Sequence, residues 1–335
     1  MESVVIEKIH DIIFQHAPLS ADVGLLNGKT GIALYAYRAS KMYGNKSLHE
    51  LAGKMIDDVL VHLANSQMSD NGFLNGLAGI VYGFEYLARE KFIDLQGVNV
   101  FRNLDDRIFE EIITNENIPI GLHGIVGYLL YLYPKIAFGG SDLESYRYNK
   151  RLVIELVNNL SLQMDKTEKH FSEPLSFNFL WDLPLLLISL GKISELHIYD
   201  RKIFRIIEQQ LTAYVLSFFP KLHCNRLYLL LGMKSLSNLS IAGWEEHISL
   251  LEHNISMDTI IHEELKTNAI ALINGISGIS LICDRISAID ANNKFNIKSE
   301  EMERKMKETF LLSFHTTNKT SILSGYTGMG YALLK

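Results

Sequence analysis

The feature that most constrains this chain is a repeat. A polar residue, then Gly-x-x-Gly, then an apolar run, recurs five times. It reads NGKTGIALYAY from Asn27, NGLAGIVYGFEYL from Asn75, HGIVGYLLYLY from His123, NGISGISLI from Asn274 and SGYTGMGYALL from Ser324. The first glycines are Gly28, Gly76, Gly124, Gly275 and Gly325, separated by 48, 48, 151 and 50 residues. The long gap is close to three periods. Two further units without the glycines are therefore expected, at Trp181-Asp182 followed by LPLLLISLG and at His223-Cys224-Asn225-Arg226 followed by LYLLLG. Seven such units fill the 335 residues as one repetitive domain and leave no room for a second.

Local chemistry gives each unit its form. Asn or Ser before a glycine and an apolar run is a helix N-cap signal, so Asn27, Asn75 and Asn274 are expected to cap their helices. His123 in the same position is expected to do likewise, or to face a cleft as a group that titrates near neutral pH. Glycine inside a helix costs roughly 1 kcal/mol against alanine, so a retained pair implies close packing. After each apolar run comes a polar turn and a more amphipathic stretch, such as LHELAGKMIDDVLVHLA from Leu48. Each unit therefore predicts an α-hairpin. The last unit is still strongly apolar at Leu333 and Leu334. An open solenoid needs a polar cap there, so an all-α, closed α/α toroid of seven hairpins is expected. Its helix starts, at Gly28, Gly76, Gly124, Asp182, Arg226, Gly275 and Gly325, would converge on a central cleft.

Composition narrows the function. Net charge is −6, which argues against a nucleic-acid surface. Two cysteines, Cys224 and Cys283, exclude a disulfide scaffold and point to a reducing, cytoplasmic setting. The N-terminal stretch lacks a signal peptide's uninterrupted apolar region. The longest apolar run, residues 183–190, is far short of the ~20 residues of a membrane span. The His262-Glu263-Glu264 run lacks the second histidine of a zinc-protease motif and reads as a solvated face. Cys283 reads as core.

These repeats resemble the lanthionine synthetase C-like (LanC) family across the whole chain. The resemblance implies an α/α toroid that takes a peptide substrate or precursor peptide, with a modification enzyme as a possible partner. The family's cyclases add a peptide cysteine thiol to a dehydroamino acid, using zinc held by Cys, Cys and His to generate the thiolate. Here the sixth unit reads Ile273-Asn274-Gly275 where the family has Cys-His-Gly, and the fourth reads Trp181-Asp182 where it has a catalytic His-Gly. Cys224 alone stands where a ligand is expected, so no zinc and no other cofactor is expected. The candidate catalytic residues are His123, Trp181, Asp182 and Cys224. The candidate cleft-binding residues are Asn27, Asn75, His123, Asp182, Cys224 and Asn274. Three readings follow. The first is a peptide-binding or partner-binding family member without zinc catalysis. The second is an active cyclase built on Cys224. The third is a carbohydrate-active toroid, for which Asp182 and Asp22 are the only carboxylates at the helix starts.

Overall fold

A computed structural model describes residues 2–65, 68–95, 100–139, 142–164, 171–265, 270–291, 293–295, 299–313 and 320–334. Every regular element among them is a helix. In chain order these begin with α1 (Glu2–His16), α2 (Lys29–Tyr43), α3 (Lys46–Asn65) and α4 (Leu77–Arg89). Then come α5 (Val100–Thr114), α6 (Ile125–Ala137), α7 (Leu143–Met164) and α8 (Asp182–Ser194). A continuous helical run follows, made of α9 (Asp200–Arg205), a π turn (Ile206–Leu211) and α10 (Thr212–Ser217). After it stand α11 (His223–Lys234), α12 (Trp244–His253) and α13 (Met257–Thr259), the last passing into a second π turn (Ile260–Glu264). The chain closes with α14 (Ile276–Ile289), α15 (Ser299–Ser313) and α16 (Tyr326–Leu333).

The seven expected apolar helices are α2, α4, α6, α8, α11, α14 and α16, and amphipathic helices alternate with them. Burial separates the two kinds. In α2, Thr30 through Tyr37 are all buried, whereas α3 buries only Leu48, Leu51, Ala52, Met55, Ile56 and Val59. That spacing is one stripe of a 3.6-residue helix. No described helix is long and apolar enough to cross a membrane.

The residues group into two compact units. The first comprises Met1–Ile108, Leu265–Leu281 and Ile297–Lys335, the second Phe109–Glu264 and Ile282–Asn296. In the first, α2 packs on α3, α4 and α16, while α1 packs on α16, α15 and α3. The last apolar helix therefore covers its face against the first. Backbone bonds at the positions two before each glycine run the same way. Leu26 N–H donates to Leu74 O (3.0 Å), Leu323 to Leu26 (2.9 Å) and Ile273 to Leu323 (2.9 Å). Units two, one, seven and six are thus side by side, which is the order a closed ring requires.

In the second unit α6 packs on α7 and α8, and α8 on α11. The two units of the repeat that lack leading glycines carry one near the helix end. A Cβ on Gly232 would stand 3.1 Å from Pro184 Cα, and one on Gly191 would run into the Ser235 carbonyl. These small residues let α8 and α11 approach closely.

The leading glycines correct one expectation. Gly28, Gly76, Gly124 and Gly325 are themselves the N-caps, with no side-chain cap bond, and all but Gly124 are in extended conformations. Asn27, Asn75 and His123 therefore do not cap their helices. The first free amides are met by the preceding loop instead. Lys29 N–H donates to Asp22 O (2.9 Å), Leu77 to Asp70 O (3.0 Å) and Ile125 to Pro119 O (2.8 Å). The loop must fold back tightly to do this, and glycine is the residue that leaves it room. A Cβ on Gly31, Gly79 or Gly328 would collide with the carbonyl six residues earlier, of Leu25, Phe73 or Ile322. The glycines serve their own loop first and the neighbouring helix second.

Gly79→Ala should therefore destabilise the protein. Its Cβ would meet backbone at Phe73 and Leu25 Cβ at 3.0 Å, and overpacking of this kind costs about 1–3 kcal/mol. Gly53 in α3 is the control, since a Cβ there has only Tyr37 Oη at 3.7 Å. Gly53→Ala should raise stability by up to about 1 kcal/mol. Thermal melts of the two variants should move in opposite directions.

Candidate functional site

In the first unit the helix starts of α2, α4 and α16 border a cleft of about 540 Å³. Its lining includes Asn27, Asn75, Ser324, His16 and Asp22. Asn27 and Asn75 are held 48 residues apart in sequence by one bond, from Asn27 N–H to Asn75 Oδ1 (3.1 Å). That bond uses the acceptor of Asn75 and leaves its NH₂ donors. The Asn27 side-chain amide has no intramolecular partner among the described residues. Ser324 is tied to Ser321, hydroxyl to hydroxyl at 2.9 Å.

Three of these units also carry a buried hydroxyl two residues after the glycine. Thr30 Oγ1 donates to Val23 O (2.6 Å), and Ser277 and Thr327 donate to Ile270 O and Thr320 O. The Thr30 and Thr327 hydroxyls thereby fix the loops that carry Asp22, Asn27, Ser321 and Ser324. The cleft is polar, and among the described residues Asp22 is the one carboxylate in its lining, which has no lysine or arginine. Such a lining presents amide donors, carbonyl-type acceptors and hydroxyls, the groups that pair with a peptide main chain. Sequence reasoning found Asn27 and Asn75. It missed His16, Ser321 and Ser324 as contributors, and weighed Asp22 only as a sugar-cleaving acid. His16 comes from the end of α1, outside the repeat, so periodicity could not find it.

Asn274, the third asparagine of that series, is exposed ahead of α14, and Ile273 is half-buried with its amide on Leu323.

The remaining candidates lie in the second unit, at the starts of α6, α8 and α11. His123 is exposed just ahead of α6. Trp181 is buried: its Nε1–H faces Phe171 O at 3.4 Å and its ring meets Phe218 edge-on. Asp182 opens α8 with its carboxylate against Gly121, where a Cβ would be 2.6 Å from Oδ1. It also bears on buried Tyr228, whose phenol is raised by burial first and by Asp182 second. The Tyr228 hydroxyl donates to Phe179 O (2.8 Å).

Cys224 has the most decided environment. It is 1% exposed, at the second position of α11. Both early amides of that helix point at one carboxylate. His223 N–H donates to Glu264 Oε1 (2.7 Å) and Cys224 N–H to Glu264 Oε2 (2.8 Å). A second carboxylate takes the next pair upstream. Lys221 N–H and Leu222 N–H donate to the two oxygens of Glu173 (2.8 and 3.0 Å), and Asn225 Nδ2 adds a third bond (3.0 Å). Carboxylates are favoured where free N–H groups and the positive helix end coincide. Burial pushes the Cys224 thiol far up, and the Glu264 charge beside it adds to the effect. His223 Nδ1 accepts from Ser256 N–H (3.0 Å) and lies 3.5 Å from Arg226 Nη1. Glu264 was read from sequence as part of a solvated face. Its role comes from the π turn that ends on it, a fold-level feature with no sequence mark.

The family resemblance implies zinc, so the donors must be tested for fit. A zinc site needs three protein ligands at one point. Among the described residues Cys224 belongs to no group of three His, Cys, Asp or Glu within ligand reach. The amides at its helix start are both taken by Glu264. These residues do not fit the metal.

Comparison with known proteins points the same way as the repeats. The model of the family described as "Lanthionine synthetase C-like protein" matches residues 20–178. That match covers a little under half of the chain. The match spans the three consecutive glycine-led units and stops just before Trp181, where the glycines are lost. The chain is also similar to the solved structure of nisin cyclase, at 17% identity and a TM-score of 0.68, over 98% of this chain and 93% of that one. At this identity the likeness speaks for the fold, the all-α toroid class that the repeats predict. No curated protein matches.

The environment of Cys224 makes a direct prediction. In a Cys283→Ser background the folded protein should resist iodoacetamide at about pH 8. Glu264→Gln should speed alkylation by about tenfold for each pH unit by which the thiol falls. Mass spectrometry over time reads this. Alkylation of the unaltered thiol at the rate of a free cysteine would contradict the assignment.

Proposed function

We propose that this LanC-like protein serves peptide maturation by holding a precursor or modified peptide, without zinc-dependent thioether closure. The observation that carries this reading is the state of Cys224. Ring closure in the cyclases of this family needs a thiol-activating metal, and the one cysteine in a ligand's position is a buried thiol beside a carboxylate, with no second and third ligand at hand among the described residues. The cleft of the first unit supports the binding half. It offers an unpartnered amide on Asn27 and free donors on Asn75, both on rigid helix starts. Groups fixed in this way bind a main chain with little loss of side-chain entropy. Relatives add a consistent context, since nisin cyclase is a cyclase by name.

The chemistry left to these residues is recognition. Asn27 and Asn75 would donate to peptide carbonyls, and Ser324 would pair with an amide or hydroxyl. Asp22, the only charge in the cleft, favours a neutral or cationic segment over an acidic one.

Two measurements test the proposal together. Protein purified without chelator should carry no stoichiometric zinc and should not accelerate ring closure of a peptide with dehydrated Ser/Thr and reduced Cys. The same dehydrated peptide, fluorescently labelled, should bind, and Asn27→Ala should weaken it by roughly three- to tenfold, the loss of one or two net hydrogen bonds. About one zinc per chain, lost along with ring closure in Cys224→Ala, would establish the cyclase reading instead. Absence of any peptide binding would remove the cleft from consideration.

A further inference from the structure

The first unit holds a second pocket that the peptide-maturation reading does not use. It lies at the other ends of the same helices, where α2 and α4 finish and the chain leaves α16. Asn27 precedes α2 and Lys41 stands in its last turn, so at 1.5 Å per residue the two pockets are roughly 20 Å apart along that helix. The second pocket has a volume of about 310 Å³. Its walls are Arg38, Lys41, Tyr86, Phe92, Glu90 and Leu334, with Met42 at the rim.

The two cations are held in an unusual way. The Arg38 guanidinium lies over the Tyr331 ring at 5.6 Å, and Lys41 Nζ over the Phe92 ring at 5.5 Å. Among the described residues neither forms an ion pair with a carboxylate. An aromatic face steadies a cation without consuming the donors in the plane of a guanidinium or the hydrogens of an ammonium. Arg38 also gives a hydrogen bond to the Tyr331 side chain, so both groups are oriented and the guanidinium keeps its remaining donors. A cation in the last turn of a helix has an ordinary purpose, offsetting the negative end of the dipole. That accounts for Lys41. It does not account for Arg38, nearly a turn earlier, or for the rings of Tyr86 and Phe92 beside it. Tyr86, Phe92 and Leu334 supply the apolar part of the lining. Its size is at the lower end for ligand pockets and suits one amino-acid-sized group.

We propose that this pocket binds a carboxylate carried on an apolar or aromatic body, such as the C-terminal residue of a peptide. Arg38 and Lys41 receive the carboxylate, and Phe92, Tyr86 and Leu334 receive the body. Glu90, which also lines the pocket without an ion pair, limits the net positive charge and disfavours dianions such as inorganic phosphate.

The test uses the full chain and small probes. N-acetyl-phenylalanine, N-acetyl-phenylalaninamide and inorganic phosphate are titrated and followed by ligand-observed NMR. The acid should bind, and the amide and phosphate should bind at least about fivefold more weakly. Lys41→Gln, an exposed position whose change leaves the core intact, should weaken the acid about fivefold or more. Arg38→Gln should do the same with an unchanged circular-dichroism spectrum. Glu90→Gln should tighten it. Equal binding of acid and amide, or an acid affinity indifferent to Lys41→Gln, would overturn the proposal. So would phosphate binding as tightly as the acid. None of these outcomes touches the Asn27 cleft, so the two proposals stand or fall separately.

Discussion

The structure depends on how each apolar helix begins. A helix leaves its first amides without intrahelical partners, and here the partners are the carbonyls of the loop just before, as with Lys29 on Asp22 and Leu77 on Asp70. This requires the loop to double back within a van der Waals radius of the helix. Glycine at the cap and three residues later is what permits it, because a Cβ at Gly31, Gly79 or Gly328 would strike a carbonyl of its own loop. Once folded back, each loop presents a main-chain donor and acceptor sideways, and the bonds from Leu26 to Leu74, Leu323 to Leu26 and Ile273 to Leu323 join one repeat to the next. One local constraint thus produces both the hairpin and the neighbour relation.

The same requirement is met differently at α11, and the difference bears on function. No leading glycines are present, and side-chain carboxylates replace loop carbonyls as acceptors for the first amides. Glu264 and Glu173 are full charges, so they settle the helix start firmly and also fix the chemistry beside it. A thiol between a carboxylate and a buried helix cannot easily lose its proton. The carboxylate that stabilises this helix start also adds to the burial that raises the Cys224 thiol. The Asn27 side chain, by contrast, is not engaged as a cap, because loop carbonyls take the first amides of its helix.

The two pockets of the first unit express the direction of its helices. At the N-terminal ends the lining is amides, hydroxyls and one acid; at the C-terminal ends it is cations laid on aromatic rings. Short residues can converge where backbone approaches backbone. Long side chains are needed where helices end and diverge into turns.

By itself the sequence determined the repeat, the seven apolar helices, the alternation with amphipathic partners and the place of every helix start to within a few residues. These follow from periodicity, and glycine spacing is a local signal that survives without knowledge of neighbours. It also brought Asn27 and Asn75 forward as cleft residues, because equivalent positions in a repeat face equivalent directions. Only the tertiary structure decided what those asparagines do, since an N-cap and a loop-to-loop bond look identical in one dimension. Nor could spacing find His16 in the cleft or Glu264 over Cys224. Their partners lie in other segments of the chain, and a contact between segments is fixed by packing, which no local pattern encodes.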